Sequence, residues 1–268
     1  MTSKPQCVHT GGGMIETRAV YVIVAREYKK FLREKSRLFS AIARPLLWLF
    51  LIGGGMSKLV PAGEGVEYRQ FIFPGILGMT ILFSSIFSSI SIIWDKEFGF
   101  MKEILVAPIS RFSIVVGKAT SGMLLSTTQV IIILALFPLV GLKLGLMQII
   151  WILLICMALS FAIAAFGILL ASFYDSYESF SVIMNFIVMP MFFLSGAMYP
   201  VKLLPDILRI LAKLNPLTYG IDALKNIIFP LESGRMGADF PLFMDVLIIV
   251  AAAIVFIVIG GKTFERTA

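Results

Sequence analysis

Residues 144–174 read LGLMQIIWILLICMALSFAIAAFGILLASFY, thirty-one residues from Leu144 to Tyr174 without one charge. At about 1.5 Å per residue a helix of this length exceeds the ~30 Å hydrocarbon core of a bilayer. Its ends then lie in the interface, or the helix tilts. Three more uncharged runs have the same character: Phe71 to Ile93 (23 residues), Ala119 to Leu142 (24) and Ser179 to Val201 (23). Two further runs are less clean. Leu38 to Ser57 carries Arg44 near its start, with Pro45 directly after it, and Arg44 can snorkel to headgroups. Val246 to Gly261 has only 16 uncharged residues and lengthens through Met244 and Phe243 when Asp245 sits at an interface. The expected architecture is an all-α integral membrane protein with six transmembrane helices, at about 38–58, 71–93, 118–140, 147–172, 179–199 and 243–261.

Composition agrees with this class. Of 268 residues, 59% are hydrophobic and 15% charged, with a mean hydropathy of +0.95. Soluble domains carry roughly 25% charged residues. A soluble enzyme, a coiled coil, a disordered chain and a DNA-binding domain are all poor fits. The net charge of +7 is placed for a membrane rather than for nucleic acid. Nine Lys and Arg precede the first expected span and two follow it. An arrangement with both termini inside puts fifteen basic residues in the cytoplasm and eight outside. The positive-inside rule favours it. The short fifth loop, with Asp175 and Glu178 and no basic residue, lends no support.

Cys7 and Cys156 form no disulfide scaffold, and His9 is the only histidine, which excludes a His-rich metal site and a Ser-His-Asp triad. Residues 1–14 are polar, include Gly11, Gly12 and Gly13, and read as a disordered tail rather than a cleaved signal. The rest, 15–268, reads as one transmembrane domain. No nucleic-acid partner is expected.

Three segments are not simple spans. Over 16–37, Tyr21, Val24, Tyr28, Phe31, Leu32 and Lys35 recur at helical spacing, with Arg26, Lys29, Lys30 and Arg33 over much of the remaining surface. This pattern predicts a basic amphipathic helix at the inner leaflet. Residues 94–111 mix Asp95, Glu97, Lys102 and Glu103 with Phe98, Phe100, Met101, Ile104 and Leu105, between Gly99 and Pro108. Such a segment inserts into a partner's groove or lies on the membrane surface, and its composition fits both. Residues 190–230 are punctuated by Pro190, Ser195-Gly196, Tyr199-Pro200, Pro205 and Asn215-Pro216. Two short helices are expected there, neither long enough to span.

The last two segments resemble those of the membrane permeases of type-2 ABC exporters, closest in style to the daunorubicin-resistance and polysaccharide- or lipooligosaccharide-export group. The first matching block runs from Trp94 to Arg111 and on to Lys118, with Glu97, Gly99, Glu103, Leu105, Pro108 and Ser110 at favoured positions. The second runs from Pro190 through Gly196, Tyr199-Pro200 and Pro205 to Asn215-Pro216-Leu217-Thr218-Tyr219 and Asp222. The resemblance covers nearly all of the chain beyond residue 15.

It implies one transmembrane subunit of a dimeric exporter in the cell membrane, with termini in the cytoplasm. A second permease subunit and a separate cytoplasmic ABC ATPase would complete it, with ATP and Mg on the ATPase and no cofactor on this chain. Asp95, Glu97, Phe98, Gly99, Phe100, Lys102, Glu103, Leu105 and Pro108 would form the coupling segment (94–108) docked on that ATPase. Pro190, Ser195, Gly196, Pro200, Pro205, Asn215, Pro216, Tyr219 and Asp222 would belong to the outer gate, with 203–228 a short extracellular re-entrant helical hairpin.

The chain itself is not expected to be an enzyme. Gly261-Lys262-Thr263 imitates the end of a Walker A loop, but Phe256 stands where its first glycine is required. Gln129 and Asn185, polar residues inside expected spans, are candidates for the translocation path, or form helix–helix hydrogen bonds. The expected cargo is an amphiphilic drug, a lipid-linked glycan or a similar molecule. An ion-coupled secondary transporter and a membrane scaffold without transport activity are the alternatives.

Overall fold

The computed structural model describes residues 16–56, 67–101, 106, 109–229 and 237–267. The tail expected over 1–14 lies outside the described residues. The chain is all helical among them, apart from turns and connections.

Helix α1, Thr17–Arg33, is amphipathic and buries Glu27 and Phe31. At Glu34 the backbone leaves the helical region (φ −84°, ψ 72°), so the single helix expected over 16–37 is broken there. Helix α2, Lys35–Leu47, continues through a π-helical turn at Trp48–Ile52 into a short α3, Gly53–Met56. Helix α4, Tyr68–Ser88, starts at a capping box in which Gln70 accepts from the Glu67 amide at 3.3 Å. After a slight interruption at Ser89, α5 runs Ile90–Glu97. Helix α6, Arg111–Leu134, is capped by the Ser110 hydroxyl, which accepts from the Ser113 amide. Helix α7 is Leu146–Ser172, and α8 is Tyr177–Leu194 with Pro190 inside it. Two shorter helices follow, α9 (Asp206–Leu214) and α10 (Pro216–Ile228), and then α11 (Leu242–Thr267).

Four helices are long and apolar enough to cross a membrane: Tyr68–Glu97, Leu146–Ser172, Tyr177–Leu194 and Leu242–Thr263. The expected six transmembrane helices are therefore corrected to four among the described residues. Within the expected first span the described apolar helix is Ile42–Met56, which contains Arg44 and Pro45 and passes through a π turn at Trp48–Ile52. The expected span at 118–140 corresponds to α6, which ends at Leu134. That helix is long enough, but Lys118, Gln129 and its Ser and Thr residues lower its hydropathy, and most of them are turned inward.

The expected re-entrant hairpin is not formed either. α9 packs on α8, whereas α10 is sunk among α4, α7 and α11. Ten residues of α10 are buried, including every one from Leu217 to Lys225. The two helices pack mainly on different neighbours, and the hydroxyl of Tyr219 donating to Lys213 O is the side-chain tie between them among the described residues.

The centre of the bundle is α4, flanked by α6 and α7, with α1 outside α6 and α11 against α7. Of the most apolar window of the span Tyr68–Glu97, 72% is buried, against 22% for Tyr177–Leu194 and 17% for Leu242–Thr263. α8 and α11 therefore present most of their apolar side chains outward, as lipid-facing helices do. Close packing at the centre requires missing side chains. A Cβ at Gly75 would meet the Ala197 backbone, with the Ala197 Cα at 2.8 Å.

Candidate functional site

One end of the bundle collects the turn after α5, the start of α6 and the end of α7. α5 stops because Phe98 and Gly99 close its last turn, their amides donating to the Trp94 and Lys96 carbonyls, with Gly99 at φ +79°. Glu97, Phe98 and Phe100 stand exposed beyond it, Phe98 at 71% and Phe100 at 53%. Lys102, Glu103, Leu105 and Pro108 lie outside the described residues.

Asp95 behaves differently from these neighbours. It is buried, and its two oxygens accept from Arg26 Nη2 at 2.8 Å and from Lys118 Nζ at 2.6 Å. Lys118 also donates to Glu27 Oε1 at 2.8 Å and to Ser91 Oγ at 3.0 Å. With the half-exposed Arg26 at their edge, Lys118, Glu27 and Asp95, from α6, α1 and α5, thus compensate one another away from water, the condition under which buried charge is tolerated. Asp95, expected in the coupling segment, is engaged inside the bundle.

The next residue makes a second tie. Lys96 Nζ donates to the carbonyls of Ala171, Ser172 and Tyr174 at 3.4, 3.2 and 3.2 Å, and to Asp175 Oδ1 at 3.0 Å. It supplies the cation and the donors that the unsatisfied carbonyls at the end of α7 require. Lys30 of α1 lies 4.7 Å over the Trp94 ring. None of Arg26, Glu27, Lys96 or Lys118 was picked out as a site residue from the chain. Lys118, a lone cation adjoining a 24-residue uncharged run, was the one available signal.

Gln129 and Asn185 line two adjoining cavities of about 230 and 200 Å³. Phe83, Phe87, Ile90 and Tyr177 are common to both walls. Gln129 is buried and has no hydrogen-bond partner among the described residues. Asn185 is exposed, and its amide donates to Ser181 O one turn back at 3.1 Å. Neither residue joins a helix–helix hydrogen bond among the described residues.

The opposite end holds the second block. The chain leaves α8 at Ser195, whose hydroxyl donates to Phe192 O, and turns at Gly196 with φ +74°. The Gly196 carbonyl accepts from the buried Lys225 Nζ at 2.7 Å, and that ammonium lies 4.7 Å over the Phe71 ring. Pro200 and Pro205 occupy the cap positions before a short 3-10 turn and before α9. Asn215 caps α10, accepting from the Leu217 amide, while its own amide donates to Met191 O at 2.7 Å; Pro216 takes the first helical position. Tyr219 donates to Lys213 O at 2.8 Å. Asp222 accepts from the Asp239 and Phe240 amides at 2.7 and 2.8 Å, and Asp239 accepts from the Val201 amide at 3.1 Å.

Lys225 and Asp239, the unforeseen additions, draw Gly196 and Asp222 into a polar lattice, beside which Asn215 makes its own tie to Met191. Burial pushes the Lys225 ammonium down to about 8 against the pull of Asp222 and Asp239. Burial also raises the Asp222 carboxyl, opposed by the two amides it accepts from and by Lys225. Among the described residues no group of three or more His, Cys, Asp or Glu is placed to hold a metal ion.

Comparison with known proteins accounts for both ends. The sequence profile of the family described as "ABC-2 type transporter" matches residues 18–229. The chain is 35% identical over 210 residues to the putative transport permease ycf38 of Cyanophora paradoxa, covering 77% of this chain and 72% of that one. It is 26% identical over 224 residues to nodulation protein J of Sinorhizobium fredii, covering 82% of each. It is 24% identical over 252 residues to the inner membrane transport permease YadH of Escherichia coli, covering 92% of this chain and 95% of that one. Two of these relatives are named as transport permeases, and none of the three names singles out the daunorubicin-resistance or polysaccharide-export group. An all-α multi-pass membrane protein whose profile match spans both blocks, this chain belongs to the ABC-2 type transporter family, as a membrane permease and a non-catalytic transport subunit.

Proposed function

We propose that this permease is the membrane half of an ATP-driven exporter, moving an amphiphilic drug, a lipid-linked glycan or a similar molecule out of the cytoplasm or inner leaflet. A cytoplasmic ABC ATPase supplies ATP, Mg and hydrolysis, and a second permease subunit completes the path. The observation that carries the reading is the turn after α5. Its tip bears the exposed Phe98 and Phe100, while its root is tied to α1 and α6 through Asp95 and to the end of α7 through Lys96. A motor gripping the tip would move several helices together, which is how a docked element tips a bundle between two packings.

The basic residues before Pro45 favour the end with α1 and Asp95 as the cytoplasmic one, with both termini inside. The name of the Escherichia coli relative supports a cell-membrane location. The cavities at Gln129 and Asn185 are the proposed path, and the lattice of Gly196 and Asp222, with Asn215 beside it, is the proposed outer closure.

The test is capture of the motor. The full-length tagged permease, coexpressed with the stand-alone ABC ATPases of its own organism in turn, should retain one of them through purification, and inverted vesicles should show ATP-dependent uptake. Phe98→Glu with Phe100→Glu should abolish retention while leaving the permease folded. Retention unchanged in that variant, or uptake driven by an ion gradient without ATP, would refute the reading.

A further inference from the structure

Five cations of this bundle are matched by carboxylates. Arg26, Lys96, Lys118, Lys202 and Arg209 each have a carboxylate within 3.3 Å. Arg44 of α2 forms no ion pair among the described residues. Its guanidinium is instead held over two rings, with its carbon 4.8 Å from the Phe83 centroid and 5.9 Å from that of Phe87. Those rings stack on each other, 6.1 Å apart at 23°. Both belong to the wall of the cavity of about 230 Å³, and among the described residues Arg44 is the only charged side chain lining it. The adjoining cavity of about 200 Å³ has no charged lining residue.

The result is a positively charged mouth over a mostly apolar interior, with the unpartnered amide of Gln129 inside. A planar guanidinium fixed by stacking keeps its N–H edge for a bidentate anion. Arg44 is itself exposed, so an incoming anion can reach it before the chain behind enters the aromatic walls.

We propose that these joined cavities select amphiphiles carrying an anionic group. The phosphate or carboxylate is taken by Arg44, and the apolar chain lies along Phe83, Phe87 and Ile90. The proposal rests on the export reading, which makes the same cavities the path, and it names the charge of the cargo.

The test uses the purified full-length permease in nonionic micelles, with fluorescence anisotropy of two probes. They are an NBD-labelled phosphatidic acid and an NBD-labelled diacylglycerol with the same acyl chains. The anionic probe should bind about tenfold tighter, the contribution of one charge-assisted hydrogen-bonded contact. Arg44→Gln should erase that preference. Arg44→Lys, which keeps the charge and loses the planar fork, should narrow it without removing it. Arg33→Gln, an exposed cation outside the cavity, should leave it intact. Equal affinity for the two probes, a preference surviving Arg44→Gln, or one lost equally in Arg33→Gln would overturn the proposal. Inorganic phosphate competing as well as unlabelled phosphatidic acid would assign the site to free anions and overturn it too. Neither nucleotide nor ATPase is needed, so failure here leaves the motor-capture test standing, and failure of motor capture leaves this measurement intact.

Discussion

Replacing Lys118 with methionine should destabilise the permease more than any exposed cation can. The ammonium has three partners, Asp95 at 2.6 Å, Glu27 at 2.8 Å and Ser91 at 3.0 Å, and its side chain is only 5% exposed. Removing one member of a buried ion pair costs about 3–5 kcal/mol, because the other charge is left uncompensated. Asp95 keeps Arg26, which is 52% exposed and screened by water, so the lower end of that range applies. For a chain of this size ~3 kcal/mol corresponds to a fall in melting temperature of roughly 6–12 °C. Thermal unfolding in nonionic detergent can be followed with a thiol-reactive dye in a Cys7→Ser background, since Cys156 is fully buried and reacts only on unfolding. Adding Glu27→Gln and Asp95→Asn to Lys118→Met should recover part of the loss, because the stranded charges are then gone. A single variant melting within about 1 °C of the parent would refute the reasoning. So would a triple variant no more stable than the single one.

Three other outcomes follow from the geometry. Gly75→Ala should cost about 1–3 kcal/mol in the same melting assay, because the added methyl meets the Ala197 backbone rather than a movable side chain. Lys225 binds its proton less tightly when folded, near 8 against 10.5 unfolded, so the unfolded chain holds more protons in that window and stability should rise with pH between them; Lys225→Met should flatten the rise, as read from melting temperature against pH. Phe98→Ala with Phe100→Ala should leave the melting temperature within about 2 °C, as exposed positions do, while weakening retention of the ATPase in pull-down.

Which parts of this architecture could be seen in the chain follows from what residue counting measures. Uncharged runs register lipid-compatible length, and they located Leu146–Ser172 and Tyr177–Leu194 because nothing interrupts those helices. Counting treats every charge as a boundary, however, and Lys118 is a charge inside a helix. Its partners Asp95 and Glu27 lie 23 and 91 residues away, so nothing local announces that it is paired. The tie from Asp95, expected in the coupling segment, to Arg26 is hidden for the same reason, since Arg26 is 69 residues distant. The mixed polarity of residues 216–228 reads as a surface piece, yet Asp222 is satisfied by the Asp239 and Phe240 amides and the helix is buried. Proline and glycine positions were more informative, because Gly99, Gly196 and Pro216 act through backbone geometry that each residue carries by itself.

The clasp formed by Lys96 reaches further than its size implies. Its ammonium joins the exit of one helix to the carbonyls of a bend about 75 positions downstream, and α8 sets out from that bend. Lifting the turn at Phe98 away from the bundle would strip four acceptors at once, so a thrust applied there is handed on to the foot of α8. That helix carries Asn185 and forms one wall of the second cavity. The turn and that cavity wall are therefore hung on the same pin, so under the proposed export reading a pull on the first would reach the second without crossing the core.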